Sequence, residues 1–206
     1  LRIWSEYYII KMDIRKYFQN INKKILMNIL QRKIKDKKLM WLIEEIVCST
    51  AEETGIPIGN YTSQLFANIY LNEVDQYIKH KLKVKYYFRY MDDSIILVKT
   101  KKEANEILEK IANFLNKELK LTLNAKTQIF KNKQGVNFCG YKINEYRMKI
   151  RTKGKKKIKR KIKKLKEYIK EGKMDSKDAR KYLCGHIGYI KYANVYNLNK
   201  KLFYIE

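Results

Sequence analysis

Two strand-like runs, residues 84–89 and 94–98, are separated by Tyr90-Met91-Asp92-Asp93. Aromatic and β-branched residues dominate both runs, so the segment reads as a β-hairpin with two acids at its tip. Adjacent carboxylates repel each other, and a divalent cation is the usual reason to place them together. Asp also favours turns, which is the ordinary alternative. A third acid, Asp13, closes another apolar and aromatic run, Tyr7-Tyr8-Ile9-Ile10-Lys11-Met12. If the strands lie side by side, Asp13 and Asp92 face one another across a metal site. Such a core suits two-metal phosphoryl transfer, in which cations stabilise the attacking and leaving oxygens.

Composition narrows the partners. The 206 residues carry 47 Lys and Arg against 21 acids, a formal charge of +26. A polyanion is the expected partner, and nucleic acid is favoured over a membrane surface because the basic residues accompany ordinary core patterns along the chain. No stretch has the length of a membrane-spanning helix or the form of a secretory signal. Cys48, Cys139 and Cys184 are isolated, which predicts buried, reduced thiols in a cytosolic protein. His80 and His186 are too few and too far apart for a zinc site, so oxygen ligands are expected for any metal. The chain opens on Leu1, with its first strand close behind, which suggests that an N-terminal segment is missing.

Periodicity gives the remaining elements. Ile25, Leu26, Ile29 and Leu30 mark a helix, and Leu39, Leu42, Ile43 and Ile46 continue the period after a charged break. A loop over residues 55–60 holds the only proline and two glycines. A helix from Thr62 or Ser63 to about Lys81 is expected to turn Leu65, Ile69 and Val74 inward. Another spans about 102–119, followed by short strands near 127–130, 136–141 and 147–151. From Lys153 the composition changes. Ile158, Ile162, Leu165 and Ile169 form one apolar stripe on a helix otherwise nearly all Lys and Arg. Gly172 ends that helix, and a second runs from Asp175 or Ser176 toward Tyr192. A soft boundary falls near 149–154. The basic helix is read as a contact for nucleic-acid phosphates rather than as a merely solvated face.

Five motifs follow in order: Asp13-Ile14-x-x-x-Phe18-x-x-Ile21; Gly55-x-Pro57-x-Gly59-x-x-x-Ser63-Gln64-x-x-Ala67-Asn68-x-x-Leu71-x-x-x-Asp75; Tyr90-Met91-Asp92-Asp93; Leu121-x-Leu123-Asn124-x-Lys126-Thr127; and Phe138-Cys139-Gly140-Tyr141. This set resembles the palm of bacterial reverse transcriptases over about residues 8–151. The resemblance implies an α+β fold: a right-hand polymerase palm, its antiparallel sheet covered by helices on one face, over residues 1–151. A short basic helical thumb would occupy 152–206. The fingers would be largely missing, with only residues 1–6 to represent them.

The resemblance also implies roles. Asp13, Asp92 and Asp93 would be catalytic, holding two Mg²⁺ ions, or Mn²⁺ as a substitute, with Ile14 in the same metal set. Phe18 matches the steric gate against a ribose 2′-OH, although a core role fits it too. Ile58, Gly59 and Gln64 would border the incoming nucleotide. Lys126 would balance or protonate the departing pyrophosphate, or be a plain surface lysine. Tyr90, Met91, Phe138, Gly140 and Tyr141 would place the primer, and Lys155, Lys159 and Lys163 would grip the duplex. The partners implied are template RNA, primer and deoxynucleotides, in the cytoplasm of a bacterium or encoded by a phage, with no membrane.

One departure separates subtypes. Most reverse transcriptases have Gln where Ile58 stands, and Pro where Gln64 stands. Ile-Gly-x-x-x-Ser-Gln resembles the diversity-generating retroelement type, which is error-prone at template adenines and works with a small basic accessory protein. The competing expectations are a group II intron-like or defence-associated enzyme, and a non-catalytic RNA-binding protein on the same scaffold.

Overall fold

The structure is a computed structural model that describes residues 5–194. The chain divides into two compact units, with the break between Lys131 and Asn132. The expected remnant of fingers at residues 1–6 lies mostly outside the described residues, as does the end of the expected thumb beyond 194.

The first unit is built on four strands: β1 (Tyr8–Met12), β2 (Tyr86–Tyr90), β3 (Asp93–Val98) and β4 (Gln128–Lys131). All neighbours are antiparallel, in the order β2-β3-β1-β4. The two inner strands are apolar runs with little polar alternation, as strands buried on both faces require. Ile10, Met12, Ile96 and Val98 form one face, and helices pack against it.

The helices of this unit are α1 (Tyr17–Asn20), α2 (Lys23–Lys33), α3 (Lys37–Val47), α4 (Tyr61–Gln76) and α5 (Lys101–Leu119). Their starts are written locally. The Asn22 side chain accepts from the Ile25 N–H (3.0 Å), and Asp36 accepts from Leu39 (2.8 Å). Thr100 accepts from the Glu103 N–H (3.1 Å), while the Glu103 carboxylate reaches back to the Lys99 N–H (3.2 Å). Helix α4 continues into a wide π-turn, Tyr77–Lys81, close to its expected end. Its buried stripe is Phe66, Ala67, Tyr70, Leu71 and Val74. Leu65, expected inward, is 58% exposed. This helix carries more apolar residues than one face can hold, and packing against α2 and α5 selects the stripe centred on Tyr70, whose hydroxyl donates to the Leu119 carbonyl.

The second unit starts with a meander of β5 (Val136–Phe138), β6 (Tyr141–Ile143) and β7 (Met148–Ile150). The expected strand 136–141 is thus two strands joined by Cys139-Gly140. Both turn residues have positive φ, 46 and 86, as a tight hairpin turn demands. Helices α6 (Thr152–Lys170) and α7 (Ser176–Lys191) follow. Ile158, Ile162 and Leu165 pack with Ala179, Leu183 and Ile190, while Ile169, expected in the stripe, is 40% exposed. The cysteines also correct their expectation: Cys48, Cys139 and Cys184 are all exposed, on a helix end, a hairpin turn and an outer helix face. Among the described residues no helix is long and apolar enough to cross a membrane.

Candidate active site

The acids meet because of strand register. β1 and β3 pair up to Met12–Ser94, so the next positions across the ladder are Asp13 and Asp93. The hairpin turn between β2 and β3 is Met91-Asp92, closed by the pair Tyr90–Asp93. Met91 takes a left-handed φ of 55, a conformation that costs a side-chain-bearing residue about 1–2 kcal/mol. Strain of this kind collects at functional sites.

Charge at this tip is only partly compensated. Burial raises the pKa of Asp92 above its ordinary value, its own main-chain N–H opposes the shift, and Asp13 adds to it. Burial also raises Asp93, against the lowering effect of Lys11, with Asp13 and Asp92 raising it further. Lys11 Nζ lies 3.4 Å from Asp93 Oδ2, and Asp93 Oδ1 is buried with no hydrogen-bond partner. Asp13 is held from behind. Asn124 Nδ2 donates to Asp13 Oδ2 (3.1 Å), the Asn124 N–H donates to the Asp13 carbonyl (2.7 Å), and the Asp13 N–H points to Thr127 Oγ1 (3.5 Å).

Among the described residues no three carboxylate, imidazole or thiolate side chains converge into a closed metal cage. The donor set still fits Mg²⁺, which prefers oxygen, keeps several waters and needs only one or two carboxylates beside substrate phosphates. An orphaned carboxylate oxygen in a half-buried, mutually repelling set has the chemistry a cation would satisfy. Ile14 could add only its main-chain carbonyl, since its side chain is in the core.

Two other segments join at this end of the first unit. The Ile56 N–H donates to the Phe18 carbonyl (3.0 Å) and the Gly55 N–H to the Ile21 carbonyl (2.8 Å). The loop that leads to Ile58 and Gly59 is therefore stitched to the segment carrying Phe18. Phe18 is half-buried against the core and meets Tyr17 edge-on at 5.6 Å. Ile58 is 73% exposed, Gly59 has φ 105, and Gln64 is exposed on the first turn of α4. Lys126 is exposed on the Asn124 loop, its N–H donating to Asn124 Oδ1 (3.1 Å).

The other nominated residues belong to the second unit. Tyr141 stacks on Tyr189 at 4.8 Å and donates to its carbonyl (2.8 Å), while Tyr189 donates to the Gly140 carbonyl (2.5 Å). This ties the turn with half-buried Phe138 to α7. Lys155, Lys159 and Lys163 are exposed at four-residue spacing along one side of α6.

Residues 2–143 match the family described as reverse transcriptase (RNA-dependent DNA polymerase). The chain belongs to the reverse transcriptase family. Similar proteins include YkfC of Escherichia coli, 28% identical over 177 residues, which cover 66% of this chain and 46% of that protein. A putative COX1/OXI3 intron 2 protein of Saccharomyces cerevisiae is 25% identical, over 65% of this chain and 23% of its own length. The group II intron-encoded protein LtrA of Lactococcus lactis is 27% identical, over 64% and 34%. The chain thus spans less than half the length of the curated relatives it matches. Telomerases share the fold of this reverse transcriptase chain. That of Candida tropicalis, truncated of its C-terminal domain, superposes with TM-score 0.58 at 16% identity, over 72% of this chain and 36% of that one. That of Candida albicans gives 0.56 at 11%, over 71% and 30%.

Sequence reasoning missed three residues that support the acidic tip. Lys11 is a lone charge in an apolar strand, and Asn124 sat in a motif without a role. Arg89 is two residues ahead of the acidic turn and joins Asp75 on α4. Its signal was a guanidinium on the core-facing side of a strand, which needs a buried anion.

Proposed function

We propose that this chain is the polymerase part of an RNA-directed DNA polymerase, extending a primer on an RNA template with deoxynucleotides. The observation that carries the reading is the strand register that sets Asp13 across from Asp93, with Asp92 next to it in a strained Tyr-Met-Asp-Asp turn. In this reading residues 1–151 are palm and residual fingers, and 152–206 are thumb. Asp13 and Asp92 hold Mg²⁺, with Asp93 and the Ile14 carbonyl completing the set. When bound, the metal neutralises charge on the attacking and leaving oxygens of an in-line displacement.

The chain's own residues do the rest. Phe18 excludes a 2′-OH, and Gly59 lets the backbone approach the base pair closely. Gln64 stands on the first turn of α4, where free N–H groups attract phosphate. Lys126 offers a cation or a proton to the pyrophosphate. Tyr90, Met91, Phe138, Gly140 and Tyr141 align the primer, and Lys155, Lys159 and Lys163 bind phosphates.

Primer extension on an RNA template with Mg²⁺ tests the proposal. The chain is compared with a longer form carrying any coding sequence that precedes Leu1, and with that form bearing Asp92→Ala and Asp93→Ala. Extension abolished by the double substitution supports the reading. RNA binding without synthesis by any form, unaffected by Mg²⁺, replaces it with a non-catalytic binding protein.

The finer proposal is an error-prone enzyme of a diversity-generating retroelement, with a small basic accessory protein as partner. It rests on Ile58, Gly59, Ser63 and Gln64. An apolar Ile58 standing mostly in solvent supplies no hydrogen bond near the base pair, which weakens discrimination between right and wrong pairs. Ile58→Gln is expected to lower misincorporation opposite template adenine, and an unchanged error spectrum removes that role. A group II intron-like enzyme is the second reading, favoured by the similarity to LtrA and to the yeast intron 2 protein. A neighbouring repeat pair in the genome, one copy differing at adenines, decides for the first.

A further inference from the structure

Arg89 donates four hydrogen bonds, to three different residues. Its Nε donates to Asp75 Oδ1 (2.7 Å) and its Nη2 to Asp75 Oδ2 (2.5 Å). Its Nη1 donates both to Asn68 Oδ1 (3.0 Å) and to the Met91 carbonyl (3.0 Å). Tyr87 adds a hydroxyl bond to Asp75 Oδ1 (2.7 Å). The two charged side chains keep only 14% and 23% of their surface exposed. Replacing a buried ion pair with apolar residues is often neutral or stabilising, so the pair itself is a poor source of stability. What an apolar pair could not do is hold a carbonyl.

The carbonyl in question belongs to the residue at φ 55, directly before Asp92. Asn68 and Asp75 are two helical turns apart on α4, so both face the hairpin, and Asn68 Nδ2 also points at Met91 Sδ (3.4 Å). The same helix carries Gln64 on its first turn. One guanidinium therefore spans the nucleotide-side helix and the acidic turn.

We propose that Arg89, anchored by Asp75, is a positioning residue that fixes the Met91 carbonyl and so the direction of the Asp92 carboxylate, making α4 and the acidic turn one rigid piece. The inference rests on the polymerase reading above. It follows that the planar fork matters and not charge alone. Lysine is a point donor that cannot serve both Asp75 oxygens and the carbonyl at once.

The test is Arg89→Lys in the active full-length form, with Asp75→Asn and Asn68→Ala as companions. Three quantities are read: kcat and nucleotide KM in primer extension, the Mg²⁺ concentration for half-maximal rate, and Mn²⁺ affinity by electron paramagnetic resonance. Partners that orient metal ligands typically govern about 10–100-fold in metal affinity or activity. Arg89→Lys is expected to lower kcat by about tenfold or more, with KM within about twofold, and to raise the metal requirement in parallel. Asp75→Asn keeps the shape and loses the charge, so it falls between; Asn68→Ala shows the smallest change. Wild-type kcat and metal requirement in Arg89→Lys overturn the proposal. So does a loss that merely tracks a fallen melting temperature and disappears on cooling. If the parent protein extends no primer, the polymerase reading fails, and the clamp is judged by Mn²⁺ affinity alone. Affinity that ignores Arg89→Lys, or that never depended on Asp92, then overturns it.

Discussion

Removing the Asp92 charge should stabilise the metal-free fold while destroying the proposed chemistry. Asp92 is half-buried, and its carboxyl is pushed above its ordinary pKa first by burial and then by Asp13. Asp13 stands opposite Asp93 in the ladder and Asp92 lies in the adjoining turn, so Asp92 meets Asp13 as a neighbouring like charge and not as a ladder partner. A half-exposed like-charge contact costs up to about 1 kcal/mol, so Asp92→Asn should gain up to about 1 kcal/mol without metal at neutral pH. For a chain of this size that is about 2–4 °C in melting temperature.

The pH dependence follows in sign. A carboxyl whose folded pKa is raised binds more protons folded than unfolded, so the wild type loses stability as pH climbs from the unfolded value through the raised folded one. The advantage of Asp92→Asn is therefore full above that window and vanishes below it. Thermal unfolding by circular dichroism in EDTA, at acidic and neutral pH, reads both effects. Millimolar Mg²⁺ should raise the wild-type melting temperature and leave Asp92→Asn nearly unmoved. A variant that melts lower than wild type in EDTA at neutral pH refutes the reasoning, because the carboxylate would then be a structural ligand of the fold.

Tyr70 is fully buried, its hydroxyl pushed up to about 12 chiefly by burial, and it donates to the Leu119 carbonyl at 2.7 Å. Tyr70→Phe strands that carbonyl at the end of α5 and should cost about 1–3 kcal/mol in urea unfolding. Phe18→Ala should let ribonucleotides into the primer, measured as the ratio of ribonucleotide to deoxynucleotide extension; continued exclusion removes the gate. Changing Lys155, Lys159 and Lys163 together to Gln should lower the slope of log affinity against log salt by about 2–3 for a duplex. An unchanged slope would show that these lysines are not phosphate contacts.

Much of this was legible in the chain. Caps, turns and periodicities are local, so the starts of α2, α3 and α5 and the strands around Tyr90-Met91-Asp92-Asp93 could be read from neighbouring residues. Local signals do not say which of two apolar stripes wins when a helix carries both, and so Leu65 was placed inward and is exposed. Nor do they say whether a small thiol ends on a core or a solvent face, which is why the three cysteines were expected to be buried.

The acids themselves show the division most plainly. By itself the sequence determined that Asp13, Asp92 and Asp93 lie at strand ends and the turn between them, because apolar runs flank them. Only tertiary structure set Met12 opposite Ser94, which brings acids eighty residues apart to adjoining positions. It likewise chose Lys11, Asn124 and Arg89 as their supports. Strand pairing and side-chain reach across a sheet are long-range, and no window of neighbouring residues contains them.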